Sequence, residues 1–355
     1  MRTYIVLMVA MGLLPLMSLA AVIEENVEYN GWKCVVMKND TTEVTVAPQL
    51  AGRIIQYQVD GVEWLWVNKA LAGKVFPVEE NNNMEVWKNY GGDKLWPAPQ
   101  GWDRPDQWPG PGDDVIELPH TLTIVKKEGP VVSLTMTGSD KGGWAGVQFT
   151  RTLTLRDGSN KVEEEITMKN VSSKEVSWGI WEVAQMYWTA RGDKKGASDW
   201  NEAAYLAVPM NAKSRWPEKY RVMFGEAFSF NWQPDYAKDL MIVRYMNMVG
   251  KIVMDDAAGW AAMVDPSVGA TFVLRFPYDP KATYPDGGNY ESWVAGKGEY
   301  VHKHKLRVAP DDPTSRLIEM EVLGPKVKLA PGQTTALKTS IEVVKGGLEK
   351  VTGGK

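Results

Sequence analysis

Residues 89–111 read NYGGDKLWPAPQGWDRPDQWPGP, which gathers Trp96, Trp102 and Trp108 with Lys94, Gln100 and Asp103 in one stretch. Flat indole faces beside carboxylates, an ammonium and a carboxamide suit a sugar. Pyranose C–H faces stack on the rings, and the hydroxyls need polar partners. Lys94 and Asp93 could serve a hydroxyl or a uronate carboxylate, or they could pair with charges elsewhere and pin the segment. Other residue types with chemical potential are sparse. His302 and His304 share one face of a strand by their spacing, but with Lys303, Lys305 and Arg307 around them and no third ligand close by, no metal is expected there. Asp103 and Asp106 could hold calcium only with help from loop carbonyls. No glycine-rich phosphate loop, metalloprotease helix or serine elbow is present, so no cofactor is expected.

The elements that position these residues are read next. Gly91, Gly92, Gly101 and Gly110 permit unusual backbone angles, while Pro97, Pro99, Pro105 and Pro109 disfavour helix interiors and central strands. Residues 89–111 are therefore expected as a long stiff loop, either a ligand site or a plug at one end of a sheet sandwich. Around it runs strand after strand. Thr42–Ala47 alternates apolar and polar residues, and Arg53–Val59 leads through Asp60-Gly61, a strong hairpin signal, into 62–67. Further hairpins are expected from 121–125 into Val131–Thr137 and from 147–155 into 161–169. Val176–Tyr187 reads as a buried strand, with Trp178, Ile180 and Glu182 on one face and Trp181 and Val183 on the other. Residues 189–239 are less regular, and 202–208 fit either a strand or a short helix. Strands resume at 241–245, 260–264 and 271–276. A second long loop is expected over 278–298, followed by strands at Leu317–Leu323, 326–329 and 335–344. With no composition break and little helical periodicity, the chain reads as all-β: one large antiparallel two-sheet sandwich over 21–345, with a tail at 346–355.

Composition narrows the function classes. The 355 residues are 44% hydrophobic and 24% charged with a formal net charge of -4, which leaves no electrostatic footprint for nucleic acid. Sixteen tryptophans and 13 tyrosines against 7 phenylalanines favour aromatics that carry a polar handle. Residues 1–20 have an early arginine, an apolar run broken by Gly12 and Pro15, and small residues at Ser18 and Ala20, the layout of a secretory signal. A periplasmic or secreted protein is expected, with no integral membrane segment after cleavage. Its only cysteine is Cys34, so stability must come from the core rather than from a disulfide.

Four stretches carry a family resemblance. LAGRI at 50–54 with DGVEWL at 60–65, NVSSKEVSWGIWEV at 170–183, and IEMEVLGP at 318–325 with Pro331-Gly332-Gln333 each resemble galactose-mutarotase-like proteins. GGDKLWPAPQ with the following WDRPDQWP is similar to a mark of one bacterial branch of that superfamily, a domain of unknown function. The resemblance implies a supersandwich with a sugar cleft on one sheet, where true mutarotases use a histidine acid and a glutamate base about the anomeric carbon. Glu321 matches the closing-strand glutamate, with Glu319 as the alternative. Where the histidine is expected, the sequence offers Trp181-Glu182-Val183. An inward-facing Glu182 would have a raised pKa and could replace the acid, or it could be a structural carboxylate paired with Arg53 or Arg151. Arg53 and Trp181 join the loop residues as expected substrate-binding groups. Two readings follow: an exported carbohydrate-binding protein, or an enzyme on the same scaffold, either an aldose 1-epimerase or a polysaccharide lyase or hydrolase using a glutamate pair. The separation of Glu182 and Glu321 distinguishes them.

Overall fold

Strict alternation builds the sheets. In Val147–Arg156 every second residue from Val147 to Leu155 is buried, and in Val162–Asn170 the buried set starts at Val162, so pairing the two strands makes one buried face, apolar but for Arg151, Glu164 and Asn170. The computed structural model describes residues 20–81, 87–101, 107–191, 199–256, 258–302 and 305–352. Among them lie two large antiparallel sheets, one of 13 strands and one of 10. The central run of the larger sheet is Gly250–Met254, Tyr290–Val294, Leu317–Leu323, Val176–Tyr187, Asp93–Ala98, Arg53–Val59, Thr42–Ala47. The smaller sheet centres on Ala270–Arg275, Thr334–Lys345, Val162–Asn170 and Val147–Arg156. The main core, with Tyr57, Trp64, Phe149 and Phe272 among its large side chains, lies between them. A second core of Trp32, Cys34, Leu50, Ile55, Val67 and Tyr90 covers part of the opposite face of the larger sheet.

Several expectations match the structure closely. Thr42–Ala47, Arg53–Val59, Val131–Thr137, Val176–Tyr187 and Leu317–Leu323 are strands with the expected ends. The Asp60-Gly61 turn has both residues at positive φ, 49° and 79°, as a two-residue hairpin requires. Residues 205–209 form a strand, which decides the ambiguity at 202–208.

Two loops are corrected. Residues 89–111 are not wholly irregular, because Asp93–Ala98 is a central strand of the larger sheet. It pairs with Val176–Tyr187 along its whole length but with Arg53–Val59 only at Asp93. Past Asp93 it has edge character on that second side, the setting that best tolerates a proline such as Pro97. Likewise, 278–298 contains the strand Tyr290–Val294, whose five residues include Glu291 and Ser292 and so lack an unbroken apolar signal. His302 ends the strand Gly298–His302, while His304 lies outside the described residues.

Between the sheets sits a buried charge cluster. The Arg151 guanidinium donates to the Asp93 carboxylate, to Glu164 Oε1 at 2.6 Å and to the Asp93 carbonyl at 3.1 Å. Glu182 joins it from the larger sheet, its carboxyl fully buried beside Thr339 and without an ion pair among the described residues. Burial, then the nearby Glu164 and Asp93 carboxylates, push the Glu182 pKa well above the usual range, so the group is held as a neutral acid. Burial similarly lifts Glu164 to about 7 against the pull of Arg151.

Candidate functional site

Register assigns side chains to faces. Trp96 pairs with Trp181 and Lys94 with Val183 across one ladder, and Val183 pairs with Glu321 and Gln185 with Glu319 across the next. Beyond them, Glu321 pairs with Glu291, and Lys251 with Trp293. Directly paired residues share a face, so Lys94, Trp96, Trp181, Gln185, Glu319, Glu321, Glu291 and Lys251 all lie on the side turned away from the smaller sheet. The intervening residues, Asp93 and Glu182 among them, point into the interior. A strand period of two thus sends one set of charges to each side of the same backbone.

Two cation centres flank an indole pair. Lys94 Nζ lies 2.8 Å from Glu319 Oε1, which also accepts from Gln185 Nε2 at 2.6 Å. Its ammonium stands 4.6 Å from the centre of the Trp96 ring and 5.3 Å from that of Trp87. Lys251 Nζ is 2.7 Å from both Glu321 Oε2 and Glu291 Oε2 and 4.4 Å from the Trp181 ring centre. Trp181 Nε1 donates to Glu321 Oε2 at 2.9 Å. Trp96 and Trp181 meet edge to face at 5.4 Å and 84°. Each desolvated cation–indole contact is worth roughly 2 kcal/mol.

Electrostatically the two centres differ. Burial lowers the Lys94 pKa more than Glu319 restores it. At Lys251 burial also pulls down, but Glu291 and Glu321 together outweigh it and hold the ammonium above the usual lysine range. Burial raises Glu321 and takes Glu291 to about 8, in both cases opposed by Lys251. The site therefore combines proton donors and acceptors within hydrogen-bond reach of one another. Among its buried polar atoms, Trp96 Nε1, Gln185 Oε1, Glu291 Oε1 and Glu321 Oε1 have no hydrogen-bond partner among the described residues.

The expected residues are distributed as follows. Glu319, Glu321, Lys94, Trp96 and Trp181 come together on the outward face. Glu182 does not join them, because its ladder partner is Val322, one residue out of phase with Glu321, and its carboxyl belongs to the Arg151 cluster. A Glu182–Glu321 acid–base pair across one cleft is therefore ruled out by register. Arg53 is on the outward side, donating to the Gly91 carbonyl at 3.2 Å with its guanidinium 5.8 Å from the Tyr90 ring centre. Asp93 and Lys94 both form ion pairs, on opposite faces. The tryptophans are not an open floor. Trp96, Trp108 and Trp181 are buried, and Trp108 Nε1 donates at 2.8 Å to Asp113, which also accepts from the Trp144, Ala145 and Val115 amides. Trp108 packs on Trp96 at 5.2 Å as core. Gln100 bridges to the Trp108 backbone, and Trp102 and Asp103 lie outside the described residues.

Sequence reasoning missed Lys251, Glu291 and Gln185. The available signal was a single charged or amide residue inside an otherwise apolar short strand, as in GKIVM at Gly250–Met254. Among the described residues no group of three potential metal ligands of the His, Cys, Asp or Glu type occurs. No helix there is long and apolar enough to cross a membrane.

Comparisons with known proteins agree on the fold. The family model described as a domain of unknown function, DUF4380, matches residues 33–344. No protein of the curated set matches. Among solved structures, a candidate aldose 1-epimerase from Klebsiella pneumoniae subsp. pneumoniae superposes with TM-score 0.56 at 12% identity, over 94% of this chain and 85% of that one. A galactose mutarotase-like protein from Lactobacillus casei gives 0.54 at 13% identity, over 88% of this chain and 100% of that one. A TPR-domain containing protein from Parabacteroides distasonis gives 0.54 at 12% identity over 93% of this chain, which spans only 54% of it. At these identities the likeness establishes the galactose-mutarotase-like fold alone.

Proposed function

The chain belongs to the DUF4380 family, and on its galactose-mutarotase-like fold we propose an exported carbohydrate-binding protein whose saccharide sits against the outward face of the larger sheet. The observation that carries this reading is the set of buried polar atoms left unmatched there. Trp96 Nε1 donates to nothing, and Gln185 Oε1 and Glu321 Oε1 accept from nothing. A buried polar atom without a partner is costly, at ~1–3 kcal/mol each, and a hydroxyl-bearing ligand both donates and accepts. Two lysine–carboxylate centres in the same row fit the same ligand class. Export is supported by the signal-like layout of residues 1–20.

An enzymatic reading is favoured by one specific feature. Glu319 and Glu321 stand two residues apart on one face, each held by its own lysine, and burial raises the Glu321 pKa. Glu321, its pKa raised by burial, and Glu319 beside it would supply an acid–base pair to an aldose ring without Glu182.

A glycan array of the chain from residue 21 onward, followed by polarimetry on each monosaccharide bound, tests both readings. Binding that weakens about tenfold or more in Lys94→Gln and Trp181→Phe supports the site. Acceleration of mutarotation lost in Glu321→Gln supports the enzyme. Saccharide binding unchanged in both binding variants removes the outward face from consideration. Fractionation of cells making the full chain tests export, and retention in the cytoplasm overturns it.

A further inference from the structure

Among the described residues, Arg53 is a buried cation without an ion pair. Among the described residues no carboxylate lies within salt-bridge distance of it, its one hydrogen bond goes to the neutral Gly91 carbonyl, and its Nε has no partner. Its strand lies beside Asp93–Ala98, and Ile54 pairs with Asp93 facing inward, so Arg53 and Lys94 both project outward from neighbouring positions. The nearest acids, Glu117 and Glu319, act on Arg53 only at a distance. Glu319 is already engaged by Lys94 and Gln185, and Glu117 by Asn81. Burial depresses the Arg53 pKa to about 10, still far above neutrality, so the guanidinium remains charged.

Lys94 thus has a carboxylate in direct contact and Arg53 has none, in an interior where an unmatched charge is strongly unfavourable. Structural arginines in this chain are handled differently. Arg151, equally buried, has Asp93 and Glu164 bound to it directly. We infer that the saccharide bound at the outward face carries an anionic substituent, a carboxylate or a phosphate, that completes the Arg53–Lys94 pair. Guanidinium suits this role because its planar fork matches either group, and the adjacent ammonium adds a point charge. The inference rests on the saccharide reading above and specifies the class of sugar.

The test is isothermal titration of the wild-type chain from residue 21 onward with matched pairs: glucuronate against glucose, galacturonate against galactose, and glucose 6-phosphate against glucose. At least one anionic member should bind about tenfold or more tightly than its neutral counterpart, with a preference that shrinks as salt is raised. The uronate and phosphate arms identify which anion it is. Arg53→Lys should keep part of the preference, and Arg53→Gln should erase it, so that the two members of each pair bind alike. Equal or tighter binding of the neutral sugars overturns this inference and leaves the carbohydrate reading standing. Failure of every saccharide in both classes overturns both. The wild-type comparison stands even where Arg53→Gln does not fold.

Discussion

Replacing Glu182 by glutamine should change the pH dependence of stability and leave ligand binding intact. Glu182 lies fully buried between the sheets, and burial first, then Glu164 and Asp93, raise its pKa well above the usual value. The native state therefore holds this proton more tightly than the unfolded chain, whose glutamates titrate near ~4.3. The corresponding stability is fully present below ~4.3 and is lost as pH rises toward the native pKa, by ~1.4 kcal/mol per pH unit. From pH 5 to pH 7 the slope sets a ceiling of ~2.8 kcal/mol on that loss, and structural relaxation with the easing of Glu164 brings the expected figure to roughly 1–2 kcal/mol. The substituted carboxamide has nothing to titrate. Urea unfolding of both proteins at pH 5, 6 and 7 should then show the variant gaining on the wild type by that amount across the range, whatever constant offset the amide introduces. Saccharide affinity should stay within about twofold, because the side chain is on the opposite face from Lys94 and Glu321. A stability difference constant to about 0.5 kcal/mol over this range would mean that Glu182 ionises normally, and the account of the cluster would be wrong.

Lys251→Met should destabilise the fold by ~3–5 kcal/mol, since Glu291 and Glu321 would lose their shared counter-ion, and a loss below ~1 kcal/mol by denaturant unfolding would contradict the ion-pair geometry. His120 is buried, and burial with Arg151 lowers its pKa to about 3; its contribution is complete above ~6.5 and declines as pH falls toward the native value, so His120→Gln should flatten the acid limb of the stability profile. An unchanged acid limb would show that another group dominates it. The Cys34 thiol, buried and pushed by burial to about 11, should react with a thiol reagent only after denaturation, and rapid labelling of the native protein would contradict its packing.

What the sequence discloses follows from where its signals are local. Period-two alternation in Val176–Tyr187 assigns Glu182 and Trp181 to opposite faces directly, because that rule needs no partner strand. Pairing register is a long-range property, so the phase between Glu182 and Glu321 became readable only once Val183 was found opposite Glu321. Pro97 and Pro99 argued against a strand that forms nonetheless, because the second neighbour of Asp93–Ala98 pairs at one residue alone. Trp96 and Trp108 looked like an exposed platform by residue type. Their burial depends on Asp113, which anchors Trp108 from five residues away, and on Gly143, where a Cβ would collide with the Asp113 carboxylate. Lys251 and Glu291 escaped notice because short strands of five residues carry too little pattern to separate a site charge from a turn.

Asp93 and Lys94 are consecutive, yet one neutralises Arg151 in the interior and the other faces Glu319 outside. A one-residue deletion ahead of them would set the Lys94 ammonium against the Arg151 guanidinium in the dry centre, and a one-residue insertion would set the Asp93 carboxylate against Glu319 on the outward face. Length variation in this part of the chain is therefore barred twice over by one dipeptide, and changes in specificity must arise by substitution within the existing frame.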